Sequence, residues 1–187
     1  MIKRQIVTKI ISELSGNSLK LVSCLGRISR DIYCFSRAGK RYHCFYQLGA
    51  MGSALPFALG LSMANQTINV LAIEGDGSIL MNLGGLVTFK RYNPGNLSLI
   101  ILDNRQYETT GGQPSQPENF EIYQVAMAIG LTTQLVEYEE QLEIMCNLLI
   151  RGSIPNVVVI KTEPDQVSPR IVESPISIAA NFKNHLK

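Results

Sequence analysis

The chain has 187 residues, 45% of them apolar and 17% charged, and 17 basic against 15 acidic side chains leave a net charge of +2. That length favours one domain with a sizeable core, and so small a net charge gives no argument for nucleic acid or an anionic membrane as partner. The low charged fraction leaves less polar surface than a soluble monomer usually shows, which points to surface buried against another subunit.

The opening "MIKRQIVTKIISEL" reads as an amphipathic helix with Ile2, Ile6, Ile10 and Leu14 on one face, ended by Ser15-Gly16-Asn17, and not as a secretory signal. "LKLVSCL" (19–25) is a short buried strand, and "ISRDIYCFSR" (28–37) a helix presenting Ile28, Ile32 and Phe35. After the polar turn "AGKRYH", the strand "CFYQL" (44–48) runs into "GAMGSALPFALGLSMA", a glycine-rich entry to a helix with no charge between Gly49 and Ala64. A helix apolar all round is buried, in the core or against a partner. Pro56 lies in its first turns, where proline is tolerated. "INVLAIEG" (68–75) is a strand, "SILMNLGGLVTFKRY" a helix with Ile79, Leu83, Leu86 and Phe89 on its apolar face, "NPGN" a turn, and "LSLIILD" (97–103) another buried strand. Residues 104–120 form a long polar loop, which in an α/β domain is usually functional or partner-bound. "YQVAMAIG" is a helix closed by Gly130, "TTQLVE" a strand, "EQLEIMCNLLIRG" a helix closed by Gly152, and "PNVVVIKT" a last strand. Ser174-Pro175 then caps and opens a terminal helix within a C-terminal extension, residues 165–187, of the single domain.

Strands alternating with helices, each strand nearly continuous in apolar residues, predict an α/β fold with a parallel sheet covered by helices on both faces. In such a sheet ligands gather at the edge formed by the strand C-termini. No apolar run reaches membrane-spanning length. Cys24, Cys34, Cys44 and Cys146 contain no C-x-x-C pair, so reduced thiols in a cytoplasmic protein are expected. With only His43 and His185, a histidine-rich metal site is excluded.

One stretch carries chemistry. Gly75-Asp76-Gly77 ends one predicted strand and Asp103-Asn104 ends the next. If those strands are neighbours, Asp76 and Asn104 can face one ion. A carboxylate with an amide oxygen suits Mg²⁺ or Ca²⁺ and suits zinc poorly. Mg²⁺ takes few protein oxygens and completes its octahedron with phosphate and water. Gly75 and Gly77 allow close backbone approach, and Ser78 opens a helix whose free amides favour an anion. GDG alone is no more than a strand-to-helix turn; the Asp-Asn pair at the matching boundary and the Gly-Gly loop after it give it content.

GDG followed one helix and one strand later by NN is the thiamine-diphosphate signature, and this stretch resembles it with Asp103 in place of the first asparagine. "GDGSILMNLGGLVTF", "LDNRQYETTGGQPS", "YQLGAMGSALPFALGLSMA" and "GRISRDIY" look most like sulfopyruvate and phosphonopyruvate decarboxylases, over roughly residues 20–165. The resemblance implies that Asp76, the side chain of Asn104 and the backbone carbonyl of Gln106 ligate Mg²⁺. It implies that Gly75, Gly77 and Ser78 hold the diphosphate and that Tyr107, Gly111 and Gly112 line the cofactor. It further implies that Met51 wedges between the cofactor rings and that the Gly49 carbonyl accepts a hydrogen bond from the aminopyrimidine. Spacing alone leaves Met51 open between that role and a core residue. Thiamine diphosphate would carry the chemistry of CO₂ loss from a 2-oxo acid, while the protein anchors it, bends it and excludes water.

In this family a glutamate on a separate pyrimidine-binding domain activates the cofactor. All of this chain matches the diphosphate-binding half or its flanks, and a second domain needs its own core. A separate pyrimidine-binding alpha subunit is therefore expected, this chain being the beta subunit of a hetero-oligomer. A substrate with a second anion, sulfonate or phosphonate, would suit Arg27, Arg30 or Arg105, although a solvated surface role fits each as well. Ser53 follows "GAMG" where phosphonopyruvate enzymes tend to show histidine, which speaks against a strict phosphonopyruvate assignment; the overall length and the separate half-chain favour sulfopyruvate. The alternatives are the beta subunit of a 2-oxoacid oxidoreductase, a carboligase of the acetolactate synthase type, and a catalytically silent cofactor-binding subunit. The first is disfavoured because the cysteines lack iron–sulfur spacing.

Overall fold

A computed structural model describes residues 1–151 and 156–186. In chain order the elements are β1 (Ile2–Lys3), α1 (Arg4–Leu14), β2 (Leu19–Ser23), α2 (Arg27–Phe35), a 3₁₀ turn (Arg41–His43), β3 (Cys44–Tyr46), α3 (Ala54–Ala64), β4 (Asn69–Gly75), α4 (Asp76–Leu80), α5 (Gly84–Tyr92), β5 (Leu97–Asp103), β6 (Gln106–Tyr107), β7 (Gln113–Pro114), α6 (Ile122–Ala128), β8 (Thr133–Val136), α7 (Glu139–Arg151), β9 (Val157–Glu163) and α8 (Pro175–Asn184). Gly152 and the start of the last predicted strand fall outside the described residues.

The apolar runs become one parallel sheet ordered β3-β2-β4-β5-β9. The outer edge of β9 is shared: β8 pairs with its first half and β1 with its end, both parallel. Every residue of β5 is buried, so both faces of the central sheet are covered, as a continuously apolar strand requires. Each fully buried leucine or isoleucine there contributes about 1.5–3 kcal/mol of transfer free energy. A small antiparallel pair, β6 with β7, stiffens the long loop after β5.

Two expectations are corrected and a third is narrowed. Ile2 is buried but belongs to β1, and the helix begins at Arg4. Its most buried stripe is Arg4, Val7, Thr8 and Ile11, at spacings of three and four, while Ile6, Ile10 and Leu14 pack at the margin. The single helix expected over residues 78–92 starts at Asp76 and divides at Met81–Leu83 into α4 and α5. There Asn82 turns its side chain to donate to the Gly52 carbonyl, 2.9 Å away, and the tertiary bond overrides the periodicity. The charge-free helix α3 is not enclosed all round: Ala54, Leu55, Ala58, Leu59 and Ser62 are buried, but Phe57 is 40% and Met63 46% exposed. Of the two readings of that helix, only the one that adds a partner surface would cover these residues.

The terminal helix folds back on its own chain. Ser174 caps α8 by accepting from the Ser177 amide, and Pro175 takes the first helical position. Ile178 and Phe182 are its buried side, Phe182 lying 5.5 Å from the ring of Phe45 on β3.

Candidate functional site

A cavity of about 190 Å³ opens at the C-terminal ends of β2, β4 and β5. The register explains how the two motifs meet. Gly75 pairs with Leu102, so Asp76 follows level with Asp103 and Asn104 comes one step on. Asp76, Ser78, Asn104, Gln106, Tyr107 and Met51 all line this cavity, as do Gly75 and Gly77. Gly49 does not; it lines an adjoining recess with Leu48, Ala50 and Ile178. Gly111 and Gly112 lie in a second, outer recess that shares Arg27, Gln106 and Glu108 with the cavity.

Asp76 is 3% exposed. Burial pushes its carboxyl up to about 6; the Ser115 hydroxyl, which donates to it, works the other way, and neighbouring Asp103 adds to the rise. None of the ion pairs among the described residues includes Asp76. A buried carboxylate with no cation beside it is costly. Asp103 is different. Lys161 at 2.7 Å, the Gln116 amide at 2.8 Å and its own loop amide neutralise it, and it stands outside the cavity wall. The position at which the sequence departs from NN is thus a structural one.

The Asn104 amide donates from Nδ2 to Glu108, 3.3 Å away, and its Oδ1 accepts from the Gln106 amide at 3.2 Å. The Gln106 carbonyl accepts from the Glu108 amide at 3.1 Å. Each of these oxygens keeps a second lone pair. Together with Asp76 they make an all-oxygen set suited to a hard divalent cation. Among the described residues no three His, Cys, Asp or Glu side chains converge on a point, so a soft-metal or iron–sulfur site has no ligands here. The Thr162 hydroxyl, in a residue of the cavity wall, is buried with no protein partner.

The glycine-rich entry to α3 is tied to the GDG turn through one carboxylate. Glu74 is fully buried; it accepts from the amides of Ala54 (2.8 Å) and Leu55 (3.3 Å) and from the Ser78 hydroxyl (2.5 Å). Burial raises its pKa while those hydrogen bonds lower it, with a net rise. The Ser78 oxygen in turn accepts from the Gly52 amide at 2.9 Å. The Ser78 hydroxyl is thereby engaged, leaving the backbone amides of the first turn as its donors toward the cavity. Gly52 has φ +69°, and a Cβ there would meet the Asn82 side chain at 2.8 Å. No other residue fits that turn, which holds Met51, 38% exposed, at the cavity mouth. Gly77 carries the ring of Tyr107 directly against its Cα.

The three arginines separate. Arg105, at φ +59°, binds the carbonyls of Pro117, Glu118 and Phe120 and the Glu121 carboxylate, so it staples the loop and does not line the cavity. Arg30 lies outside the cavity wall, whereas Arg27 is part of it. Sequence reasoning missed Arg4, Glu74 and Glu108. Arg4 is 2% exposed in the cavity wall and reaches Asp31 at 2.7 Å and Glu108 at 2.6 Å. Its signal was its place on the 4-7-8-11 stripe of α1, where an arginine in line with valine and isoleucine implies a buried partner.

The family model for the thiamine pyrophosphate enzyme C-terminal TPP-binding domain matches residues 22–154. The chain is 40% identical over 136 residues to the sulfopyruvate decarboxylase subunit beta of Methanothermobacter thermautotrophicus, covering 72% of this chain and 70% of that one. To the same subunit of Methanocaldococcus jannaschii it is 34% identical over 187 residues, 99% of this chain and 97% of the other. The X-ray structure of a protein from Mycobacterium smegmatis described as a thiamin diphosphate-dependent enzyme superposes with a TM-score of 0.66 over 90% of this chain at 18% identity. That likeness speaks for the fold alone, and this chain spans 32% of the solved one. No helix among the described residues is long and apolar enough to cross a membrane. A parallel sheet with its cavity at the strand tips, an acid and an amide facing it from adjacent strands, and a match over most of the sequence place the chain in the thiamine pyrophosphate enzyme family, of which it carries the C-terminal TPP-binding domain.

Proposed function

We propose that this chain is the beta subunit of a cytoplasmic, thiamine-diphosphate-dependent decarboxylase that removes CO₂ from sulfopyruvate, or its phosphonate analogue, and leaves the aldehyde without net oxidation. The observation that carries the reading is Asp76: a buried carboxylate at a strand tip, paired with no Lys or Arg among the described residues, in the wall of one cavity with Asn104 and Gln106. Those three residues would hold Mg²⁺, and the first-turn amides of Gly77 and Ser78 would receive the diphosphate, with Gly75 leaving room for it. Met51 and Tyr107 would flank the cofactor, and the Gly49 carbonyl, Gly111 and Gly112 would meet it at the subunit edge. When bound, thiamine diphosphate supplies the electron sink that takes up the bonding pair left by departing CO₂.

This chain's part is to bind, orient and keep water out. The apolar side of the cavity, with Leu25, Ile28 and Leu102, lowers the local dielectric and favours loss of the substrate's charge. A pyrimidine-binding alpha subunit would supply the activating glutamate. The exposed α3 face (Phe57, Met63) and the open recess at Gly49 support such a partner. The whole chain would form one diphosphate-binding domain, with residues 165–187 as its extension. The substrate follows from the near end-to-end likeness to sulfopyruvate decarboxylase beta subunits.

The test is coproduction with an alpha subunit, followed by measurement of CO₂ release from sulfopyruvate and from phosphonopyruvate with Mg²⁺ and thiamine diphosphate. Release in air-free buffer with no electron acceptor is expected. Release only with an acceptor would move the chain to the oxidoreductases, and a coupled C–C product would make it a carboligase. Cofactor binding without turnover of any 2-oxo acid would leave a silent subunit.

A further inference from the structure

The geometry points to Glu108 as a positioning residue for both oxygen donors of the loop after β5, the Asn104 side chain and the Gln106 carbonyl; this rests on the metal reading above. The carboxylate is held by parts of the chain far apart in sequence. Arg4 Nη1 lies 2.7 Å from Oε1 and 2.6 Å from Oε2, Arg27 Nη1 lies 3.0 Å from Oε1, and the Asp165 amide lies 3.3 Å from Oε1. Arg4 is itself fixed, by Asp31 at 2.7 Å and the Gln166 carbonyl at 2.9 Å, and Asp31 accepts from Ser168, 2.5 Å away. The start of α1, α2 and the segment after β9 therefore converge to fix one carboxylate.

That fixed carboxylate faces the loop in two ways. Oε2 accepts from Asn104 Nδ2 at 3.3 Å, and the Glu108 amide donates to the Gln106 carbonyl at 3.1 Å. Only the –NH₂ end of an amide can donate to a carboxylate. Glu108, together with the Gln106 amide that donates to Oδ1 at 3.2 Å, thus selects the amide rotamer of Asn104 and leaves the second lone pair of Oδ1 for the cation. A flipped amide would press oxygen against carboxylate and offer the cation a nitrogen carrying two protons. Glu108 is not a ligand itself, because four donor groups making five contacts already use its lone pairs. Groups that orient a ligand from behind commonly change metal affinity 10–100-fold when altered.

The experiment exchanges the polarity of the Asn104–Glu108 bond. Mg²⁺ binding is titrated calorimetrically at saturating thiamine diphosphate, with the full chain in its assembled complex. In Glu108→Gln an –NH₂ replaces one oxygen; the Arg27 and Asp165 donors hold the remaining oxygen at the Oε1 position, so the –NH₂ opposes Asn104 Nδ2 and drives the amide out of its orientation, and Mg²⁺ affinity is expected to fall about 10–100-fold. Adding Asn104→Asp restores the hydrogen bond with donor and acceptor exchanged and returns an oxygen to the cation, so the double variant is expected to recover most of the loss. A carboxylate at 104 strengthens cation binding by itself, so Asn104→Asp alone is the reference: Glu108 acting only as an anchor for Arg4 would make the two substitutions additive, and additivity overturns the inference. Glu108→Asp keeps the charge for Arg4 and Arg27 but withdraws from Asn104; it too should weaken Mg²⁺, and it decides the question if Glu108→Gln does not fold. Wild-type affinity in either single variant overturns the positioning role alone. A wild-type complex that binds neither Mg²⁺ nor thiamine diphosphate overturns the metal reading and the inference with it.

Discussion

Among the described glycines, Gly77 is the one where an added Cβ would come nearest to another atom. Its φ is not in the left-handed region, and it lies in the first turn of α4, so the backbone would accept alanine. Taken alone, Gly→Ala in a helix stabilises by roughly 0.5–1 kcal/mol. The surroundings oppose it. An added Cβ would come 2.7 Å from Tyr107 Cδ1, 3.1 Å from Cζ and closer still to Cε1. An aromatic ring cannot yield as a flexible chain end does, so the ring and the β6–β7 pair must shift. Overpacking of this kind costs about 1–3 kcal/mol. The net for Gly77→Ala is a loss of roughly 1–2 kcal/mol, which for a chain of this size lowers the melting midpoint by about 2–8 °C. In a Tyr107→Ala background the obstacle is gone, and the same substitution should be neutral or slightly stabilising. Urea midpoints of the four proteins form a double-mutant cycle whose coupling should be about 1–3 kcal/mol. Equal costs of Gly77→Ala in both backgrounds would show that the ring contact is not what excludes a side chain there.

Arg4→Met keeps the volume but leaves the buried Asp31 carboxylate without a cation, while Glu108 retains Arg27; a loss of about 3–5 kcal/mol is expected by chemical denaturation, and a loss below about 1 kcal/mol would mean that solvent reaches Asp31. A pH effect is expected at the other end of β2. Lys20 Nζ lies 2.8 Å from His43 Nδ1; a charged lysine only donates, so Nδ1 must accept. Burial lowers the His43 pKa, and Lys20, His185 and Lys40 lower it further. The unfolded chain then binds that proton more readily than the folded one, so this contribution is present above about pH 6.5 and is lost as pH falls through it. Urea midpoints of the wild type should therefore drop more between about pH 7.5 and 5.5 than those of His43→Gln, and parallel curves would refute the assignment.

What was legible in the sequence was whatever local pattern decides. Continuous apolar runs marked β2, β4, β5 and β9, and Ser174-Pro175 marked the start of α8, because burial and capping act within a few residues. The end of β4 and the end of β5 also predicted where the cavity would open, since parallel neighbours bring their tips together. The misses are decided by distant partners. The Met81–Leu83 break depends on Asn82 meeting Gly52. The removal of Arg105 from the site depends on carbonyls of residues 117–120. Arg4 and Glu108 are separated by 104 positions, and no periodicity joins them. Ile2 reads as helical by spacing and becomes strand only because the end of β9 offers it a free edge.

That shared edge orders events during synthesis. β1 pairs Ile2 with Thr162 and Lys3 with Glu163, and the next residue, Arg4, is the one that clasps Glu108. Residues 2–4 are synthesised long before β9 and must wait for it before they can dock, a closure of high sequence separation that is slow and late. Until then the β4 and β5 tips can assemble while the wall that Arg4 completes stays open, so a nascent chain halted before β9 would carry its GDG turn and still lack a finished pocket.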